Sequence, residues 1–165
     1  MRTEDVLFAL NQLELLNSNT NSPFVNLFDL QSIAVAGHSL GGITASEACK
    51  GGGSFSTEET AIPPEQPFRF LTKESQLPPK WIEKFESTTE GYRVVIHGAS
   101  HESFTDGPML QPGLLPTANR ADRIMSLIEK YTLAFRDRTL KNQQSNLISK
   151  SENLQDVTVE VYPSE

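Results

Sequence analysis

The chain of 165 residues has the length of a single domain with a core large enough to fold alone, although its hydrophobic content of 37% is on the low side. Its formal net charge of −7, without a basic run or a basic-aromatic patch, argues against a nucleic-acid-binding protein. One cysteine, Cys49, excludes an intrachain disulfide and is interpreted as a small buried side chain, and no apolar stretch approaches a membrane span. Residues 1–5 lack the pattern of a signal peptide, which leaves the compartment unknown with the cytoplasm as default.

The first third of the chain is predicted to contain two helices separated by a polar turn and a strand. Thr3, as an N-cap before two acidic residues, predicts an amphipathic helix over residues 3–16. Residues 17–22 form a polar turn cluster, the apolar run 33–36 predicts a buried strand, and residues 41–49 predict a helix. The apolar stripe of the first helix consists of Val6, Leu7, Leu10, Leu13 and Leu16.

The rest of the chain alternates strands and helices after a glycine-rich loop. This alternation predicts an α/β fold with a short, mostly parallel sheet flanked by helices. We expect one domain over residues 1–165, with an extended tail at 139–165 that ends in an alternating strand. Strands are predicted at 68–72, 92–96 and 157–161, and helices at 78–85 and, capped by Thr117, at 117–138.

The run Gly37-His-Ser39-Leu-Gly41 has the spacing of a nucleophile elbow, a tight bend between a strand and a helix. Such a bend brings two backbone segments close together, which favours glycine on either side of the serine. The helix that follows directs its first N–H groups towards an oxyanion at the serine. Ser39 is therefore the candidate nucleophile, and an ordinary strand-to-loop turn is the alternative.

A serine hydroxyl needs a neighbouring base, and His101 is the candidate because it follows the predicted strand 92–96 in a loop. The carboxyl ends of parallel strands meet at one edge of a sheet, so Ser39 and His101 are expected at the same edge. The alternative for His101 is a solvated loop histidine. His97 is a rival base, and His38 is interpreted as structural. A metal site built from His97 and His101 is not expected, because Gly98 makes a helical pair improbable there.

The backbone N–H of Leu40 is the candidate first donor of an oxyanion hole, because it belongs to the residue after the nucleophile. The second donor ordinarily comes from a loop after an earlier strand. No such strand is predicted before residue 33 in this sequence.

The elbow, together with Gly98-Ala-Ser-His101-Glu-Ser-Phe104-Thr-Asp106, resembles α/β-hydrolases similar to platelet-activating factor acetylhydrolases and dienelactone hydrolases. The resemblance runs over nearly the whole chain and corresponds to the C-terminal half of such enzymes. It implies a partial α/β-hydrolase fold without the N-terminal strands. It further implies a serine esterase acting on short acyl esters or phospholipid acetyl esters, with Ser39 as nucleophile and His101 as base.

The chain departs from these relatives at the triad acid. They carry an aspartate in a turn between nucleophile and histidine, whereas this sequence has no Asp between Ser39 and His101. Glu74, just past the predicted strand 68–72, is the preferred substitute, and Glu58 and Glu59 are alternatives. Glu74 could equally be a solvated turn residue. Asp106 is interpreted as a local brace of its loop.

Two hypotheses follow. The first is a serine hydrolase of carboxylic esters that needs no cofactor or metal and acts on a small ester or lipid. The second is a catalytically impaired fragment, or a remnant without activity, that associates through an exposed sheet edge, for example as a homo-oligomer. Loss of a triad acid costs about 10⁴ in kcat, and loss of an oxyanion donor about 10²–10³, so impairment would be severe.

Overall fold

The computed structural model of the chain describes residues 2–49, 68–73, 90–110 and 118–162. The chain forms two compact units, residues 1–59 and residues 60–165. The predicted loop after Cys49, the predicted helix 78–85 and the capping residue Thr117 lie outside the described residues.

The first unit contains two helices that pack against each other, α1 (Arg2–Ser18) and α2 (Leu40–Ala48). Both were predicted from the sequence. α1 begins one residue earlier than expected, so Thr3 lies in its first turn and is not the N-cap. Glu4 and Asp5 occupy the first turn, where negative charge interacts favourably with the helix dipole.

The prediction that α1 is amphipathic with one buried stripe is wrong. Phe8 and Leu15 are 63% and 61% exposed, and Leu13 and Leu16 of the expected stripe are exposed as well. Apolar side chains therefore occur on several faces of α1, more than contact with the short helix α2 can cover.

Asn17, near the end of α1, holds the loop that follows. Its side-chain oxygen accepts from the Phe28 N–H at 2.9 Å, and its Nδ2 donates to the Phe28 carbonyl at 3.2 Å. The Asn17 carbonyl accepts from the N–H of Asn26, which has a positive φ of 54°. One buried amide thus closes the polar turn predicted over residues 17–22 and extends it to Phe28.

The predicted strand 33–36 is absent from the described sheet. A strand exists only where its backbone groups pair with a neighbour, and no described segment pairs with these residues. Ile33 and Val35 are 44% and 37% exposed, so their apolar side chains are not buried as the sequence pattern predicts.

The second unit is a four-stranded sheet in the order β1-β2-β4-β3 with a long helix. The strands predicted at 68–72, 92–96 and 157–161 and the long helix predicted at 117–138 are present in this unit. Two short 3₁₀ turns and a one-turn helix connect them. The elements are β1 (Phe68–Lys73), β2 (Gly91–Ile96), a 3₁₀ turn (Glu102–Phe104), α3 (Gly107–Leu110), α4 (Ala118–Lys141), a 3₁₀ turn (Asn146–Ile148), β3 (Glu152–Asn153) and β4 (Val157–Tyr162).

The sheet is mixed, whereas a mostly parallel sheet was expected. β1 and β2 are parallel, but β4 runs antiparallel to β2, with Ile96 opposite Val157 and Gly91 opposite Tyr162. The residues after α4 supply both β3 and β4, and the hairpin between them places β4 inside the sheet. Arg93 and Glu160 face each other across this pairing and form an ion pair of 2.7 Å.

The core of the second unit lies between α4 and one face of the sheet. Alternate residues of β2 and β4 project to this face, as expected for strands, and α4 presents apolar residues at helical spacing. The buried residues are Tyr92, Val94, Ile96, Val157 and Val159 from the strands, Ala121, Ile124, Tyr131 and Ala134 from α4, and Ile148. None of the described helices combines the length and apolar character needed to span a bilayer.

Tyr92 links this core to a charged cluster. Its ring packs edge-on against Phe135 at 5.9 Å, and its hydroxyl donates to the Glu90 carboxylate, which also accepts from Arg138 Nε at 2.8 Å. Burial, and then the hydrogen bond to Glu90, raise the pKa of Tyr92 to about 12.

We expect the free energy of unfolding to fall as pH rises from about 10 to about 12, because the unfolded state releases the Tyr92 proton while the folded state retains it. Tyr92→Phe removes this proton and should therefore show a smaller fall. Urea unfolding of both proteins at about pH 9 and about pH 11 measures the difference. An equal fall in the two proteins would assign the pH dependence to other groups.

Candidate active site

Ser39 lies immediately before α2 in a backbone conformation that L-residues rarely adopt. Its φ is 56° and its ψ is −122°, outside the ordinary left-handed helical region. Ser39 is exposed, and its hydroxyl does not cap α2 as an N-cap serine commonly does. An exposed serine that has a strained backbone and does not cap the helix after it is typical of functional sites.

The neighbouring glycines explain how this conformation is accommodated. A Cβ on Gly37 would overlap the backbone carbonyl of Gly41 and approach the amide nitrogen of Gly42 too closely. Backbone atoms in a helix cannot move aside as a flexible side chain can. Gly41 differs, because a Cβ there would meet no described atom within 4 Å. The close approach expected from the motif therefore requires glycine at 37 but not at 41.

Gly41 is also one of the residues that line a cavity of about 310 Å³ within the first unit. The cavity is lined mainly by apolar groups from α1, from the segment before Ser39 and from α2. These residues are Asp5, Val6, Val35, Ala36, Gly41, Thr44 and Ala45.

The backbone N–H of Leu40 is available at the start of α2. Gly41 and Gly42 donate to the carbonyls of His38 and Ser39 at 2.8 and 3.0 Å, which uses the next two N–H groups of the turn. Leu40 N–H donates to no acceptor among the described residues. It can therefore donate to a ligand next to Ser39, as expected for the first residue of a helix.

His101 lies at the apex of a short turn in the second unit, after β2. The chain leaves β2 through Gly98, which has a φ of +73°, and His101 has helical dihedrals of −58° and −39° just before the 3₁₀ turn Glu102–Phe104. His101 is exposed, whereas Ser103 is completely buried and accepts a hydrogen bond from the Ser100 N–H at 2.9 Å. Reasoning from the sequence missed Ser103, although the Ser-x-x-Ser spacing is typical of such turns.

His97 has a structural role in this unit. Its Nδ1 lies 3.1 Å from the Gln155 carbonyl and its Nε2 lies 2.9 Å from Thr158 Oγ1. Because a carbonyl only accepts, Nδ1 carries a proton in this arrangement. Both ring nitrogens of His97 thus contact the β3–β4 hairpin, which argues against His97 as the base.

Ser39 belongs to the first unit and His101 to the second. That the two residues act together as nucleophile and base is therefore a proposal. Glu74, Glu58 and Glu59, the candidate acids, lie outside the described residues. Asp106 is exposed, and its backbone carbonyl accepts from the Leu110 N–H at 3.1 Å.

Two further expectations concern cysteine and metals. Cys49 is the C-cap of α2 and is exposed, so its interpretation as a buried side chain is wrong; the buried residues of this helix end at Ala48. Within the described ranges, no group of three or more His, Cys, Asp or Glu side chains could hold a metal ion.

Gly98→Ala is expected to destabilise the second unit by about 1–2 kcal/mol, the cost of the left-handed conformation for a residue with a Cβ. The new Cβ would also displace the Arg120 guanidinium, but a flexible side chain can move. Gly98→Asn is the matched control, because asparagine tolerates this conformation better. Urea unfolding measures both, and an asparagine variant as unstable as the alanine variant would assign the cost to Arg120 instead.

The search of solved structures finds a ferulic acid esterase from Streptomyces cinnamoneus, with a TM-score of 0.71 and 26% sequence identity. The match covers 96% of this chain and 53% of that chain, so this chain spans about half the length of that esterase. No family model and no curated protein matches the chain.

The chain therefore has a partial α/β-hydrolase fold, which confirms the predicted fold class. The comparison supports the predicted resemblance at the level of esterases. The narrower likeness to platelet-activating factor acetylhydrolases and dienelactone hydrolases stays a prediction.

Proposed function

We propose that the chain carries the nucleophile, the base and one oxyanion donor of a serine hydrolase that cleaves carboxylic esters. The observation that carries this proposal is the backbone of Ser39, which has a positive φ, precedes a helix directly and is made possible by Gly37. A position this strained persists only where the surrounding structure imposes it. An exposed hydroxyl next to a helix N–H that has no acceptor among the described residues is suited to acyl transfer. The likeness to an esterase supports the same chemistry.

In the proposed reaction, Ser39 Oγ attacks the ester carbonyl carbon while the His101 imidazole takes the hydroxyl proton. The tetrahedral oxyanion accepts a hydrogen bond from Leu40 N–H. As the carbon–oxygen bond to the alcohol breaks, His101 returns the proton to the leaving oxygen, and an acyl-enzyme remains. Water, activated by His101, then attacks this ester and releases the acid and free Ser39. Glu74, with Glu58 and Glu59 as alternatives, would orient the imidazole.

Two kinds of ester, which differ in their acyl group, are the leading candidate substrates. The resemblance in sequence favours short acyl esters, including acetyl esters of phospholipids. The structural neighbour is a ferulic acid esterase, which brings aromatic acyl esters into the proposal. Both are carboxylic esters with the same scissile bond, and they differ in the acyl and alcohol groups that the site must admit.

The test is a hydrolysis assay on three esters: p-nitrophenyl acetate, methyl ferulate and an sn-2 acetyl phospholipid. We expect turnover of at least one ester by the wild-type chain and none above background by Ser39→Ala. Ser54 lies outside the motif. Ser54→Ala is therefore the matched control and should retain the wild-type rate. Turnover that survives Ser39→Ala would contradict the serine mechanism.

The second candidate function is non-catalytic: the chain is an impaired fragment that binds another polypeptide. The specific observation in its favour is the segment 33–36, which pairs with no described strand and exposes Ile33 and Val35. Sedimentation of the chain over a range of concentrations, alongside the hydrolysis assay, separates the two. Self-association with no turnover favours this second function, and turnover by a monomer favours the first.

A further inference from the structure

Residues 100–103 form a turn closed by three contacts between two serines. Ser103 Oγ accepts from the Ser100 N–H at 2.9 Å, the two hydroxyl oxygens are 3.2 Å apart, and Ser103 N–H donates to the Ser100 carbonyl at 3.2 Å. His101 is the second residue of this turn. Its dihedrals of −58° and −39° are those that such a turn requires at that position.

The turn is attached to the core on both sides of His101. Ala99 before it and Phe104 after it pack against the buried cluster of the second unit, and the Ser103 side chain is 0% exposed. His101 and Glu102 are exposed. Only the apex of the turn faces solvent, while its base is fixed by apolar packing and by the Ser103 hydroxyl.

A serine at 103 is required for a definite reason. The Ser100 N–H points at a buried position, where a donor without a partner is unfavourable, and its acceptor among the described residues is Ser103 Oγ. Alanine at 103 would fit the space but leave this N–H unpaired. The turn could then satisfy the N–H only by opening, which would move the backbone that carries His101.

We infer that Ser103 is a positioning residue that holds the backbone of His101 in the conformation in which its imidazole acts as the base. This inference rests on the proposed function, since it gives Ser103 a role only if His101 is the base. Ser103 takes no part in bond making, and it acts through the backbone of the turn. Small displacements of a catalytic group have large effects on rate, because proton transfer needs close approach and alignment.

The kinetic test compares Ser103→Ala with Ser100→Ala on whichever ester the wild-type chain hydrolyses. Ser103→Ala is expected to lower kcat by about 10- to 100-fold with KM changed less than about twofold. Ser100→Ala is the matched control, because it removes the contact between hydroxyls but keeps the N–H bond to Ser103, and its kcat should stay within about threefold of wild type. Equal losses in the two variants would overturn the inference.

A double variant shows whether Ser103 acts through His101. In a His101→Ala background, Ser103→Ala should cost no further activity, because the group that it positions is gone. A further loss as large as in the wild-type background would show a merely structural role and would also overturn the inference.

Amide hydrogen exchange in the unmodified chain tests the turn independently of activity and of the folding of any variant. The Ser100 N–H is expected to be protected, and rapid exchange at this amide would contradict the hydrogen bond on which the inference depends. If the Ser100 N–H is protected but hydrolysis survives His101→Ala or is absent altogether, the proposed function fails and the role of Ser103 fails with it. A protected amide together with turnover that depends on His101 but not on Ser103 overturns the positioning role alone.

Discussion

His101→Ala is expected to lower kcat/KM for ester hydrolysis by about 10⁴-fold or more, and Ser39→Ala by a similar factor. In the proposed mechanism, loss of the imidazole leaves the Ser39 hydroxyl without an acceptor for its proton and the leaving alcohol without a proton donor. Without the hydroxyl, the imidazole has nothing to activate. The double variant should therefore be no slower than either single variant, since the two side chains act as one unit.

His97→Gln is the matched control for the loss of a histidine. The His97 ring contacts Gln155 and Thr158 within the sheet, so its loss should lower stability and leave kcat within about threefold of wild type. If His97→Gln lowers kcat as much as His101→Ala does, the assignment of the base to His101 alone is contradicted. Losses that multiply in the double variant would show that Ser39 and His101 act separately.

Gly37→Ala is expected to have the second largest effect. The added methyl group would overlap the Gly41 carbonyl, so the first turn of α2 must shift, and Ser39 and Leu40 N–H shift with it. Displacement of about 1 Å at a nucleophile costs about 10²-fold in rate, and overpacking of this kind costs about 1–3 kcal/mol in stability. Steady-state kinetics and thermal unfolding of the variant measure the two effects.

Gly41→Ala provides the contrast within the same motif. Its Cβ would enter the open space beside α2, and alanine is the better residue inside a helix by about 1 kcal/mol. We therefore expect a melting temperature equal to or above that of the wild-type chain. Destabilisation by Gly41→Ala as large as that by Gly37→Ala would contradict the geometry described for this turn.

The elements of the fold could be predicted because their signals are local. The apolar, β-branched run after Tyr92 predicted β2, the alternation that begins at Val157 predicted β4, and the spacing of Ile124, Tyr131 and their neighbours predicted α4. The direction of β4 could not be predicted in the same way. It depends on the hairpin with β3, and local alternation does not state whether a strand returns parallel or antiparallel.

For the segment 33–36, the local pattern predicted a strand that is absent from the described sheet. Its composition is typical of a buried strand, but a strand needs a partner, and pairing is a property of the whole chain and not of four residues. The same reason explains the exposed apolar side chains of α1, such as Phe8 and Leu15. The sequence pattern states which residues favour burial, and it does not supply the surface that buries them.

In the candidate site, the motif around Ser39 was recognisable because glycine, serine and glycine occur at the fixed spacing of a nucleophile elbow. The distinction between Gly37 and Gly41 required coordinates, since it depends on how closely one backbone passes the other. The structural role of His97 was also beyond local reasoning, because its ring partners Gln155 and Thr158 lie on a distant hairpin.

The central claim is that Ser39 is a reactive nucleophile, and intact-mass spectrometry after treatment with a fluorophosphonate tests it most directly. We expect the wild-type chain to gain one adduct, which peptide mapping locates at Ser39, and the Ser39→Ala chain to gain none. A folded wild-type chain that stays unlabelled, or a Ser39→Ala chain that is labelled equally, would contradict the account.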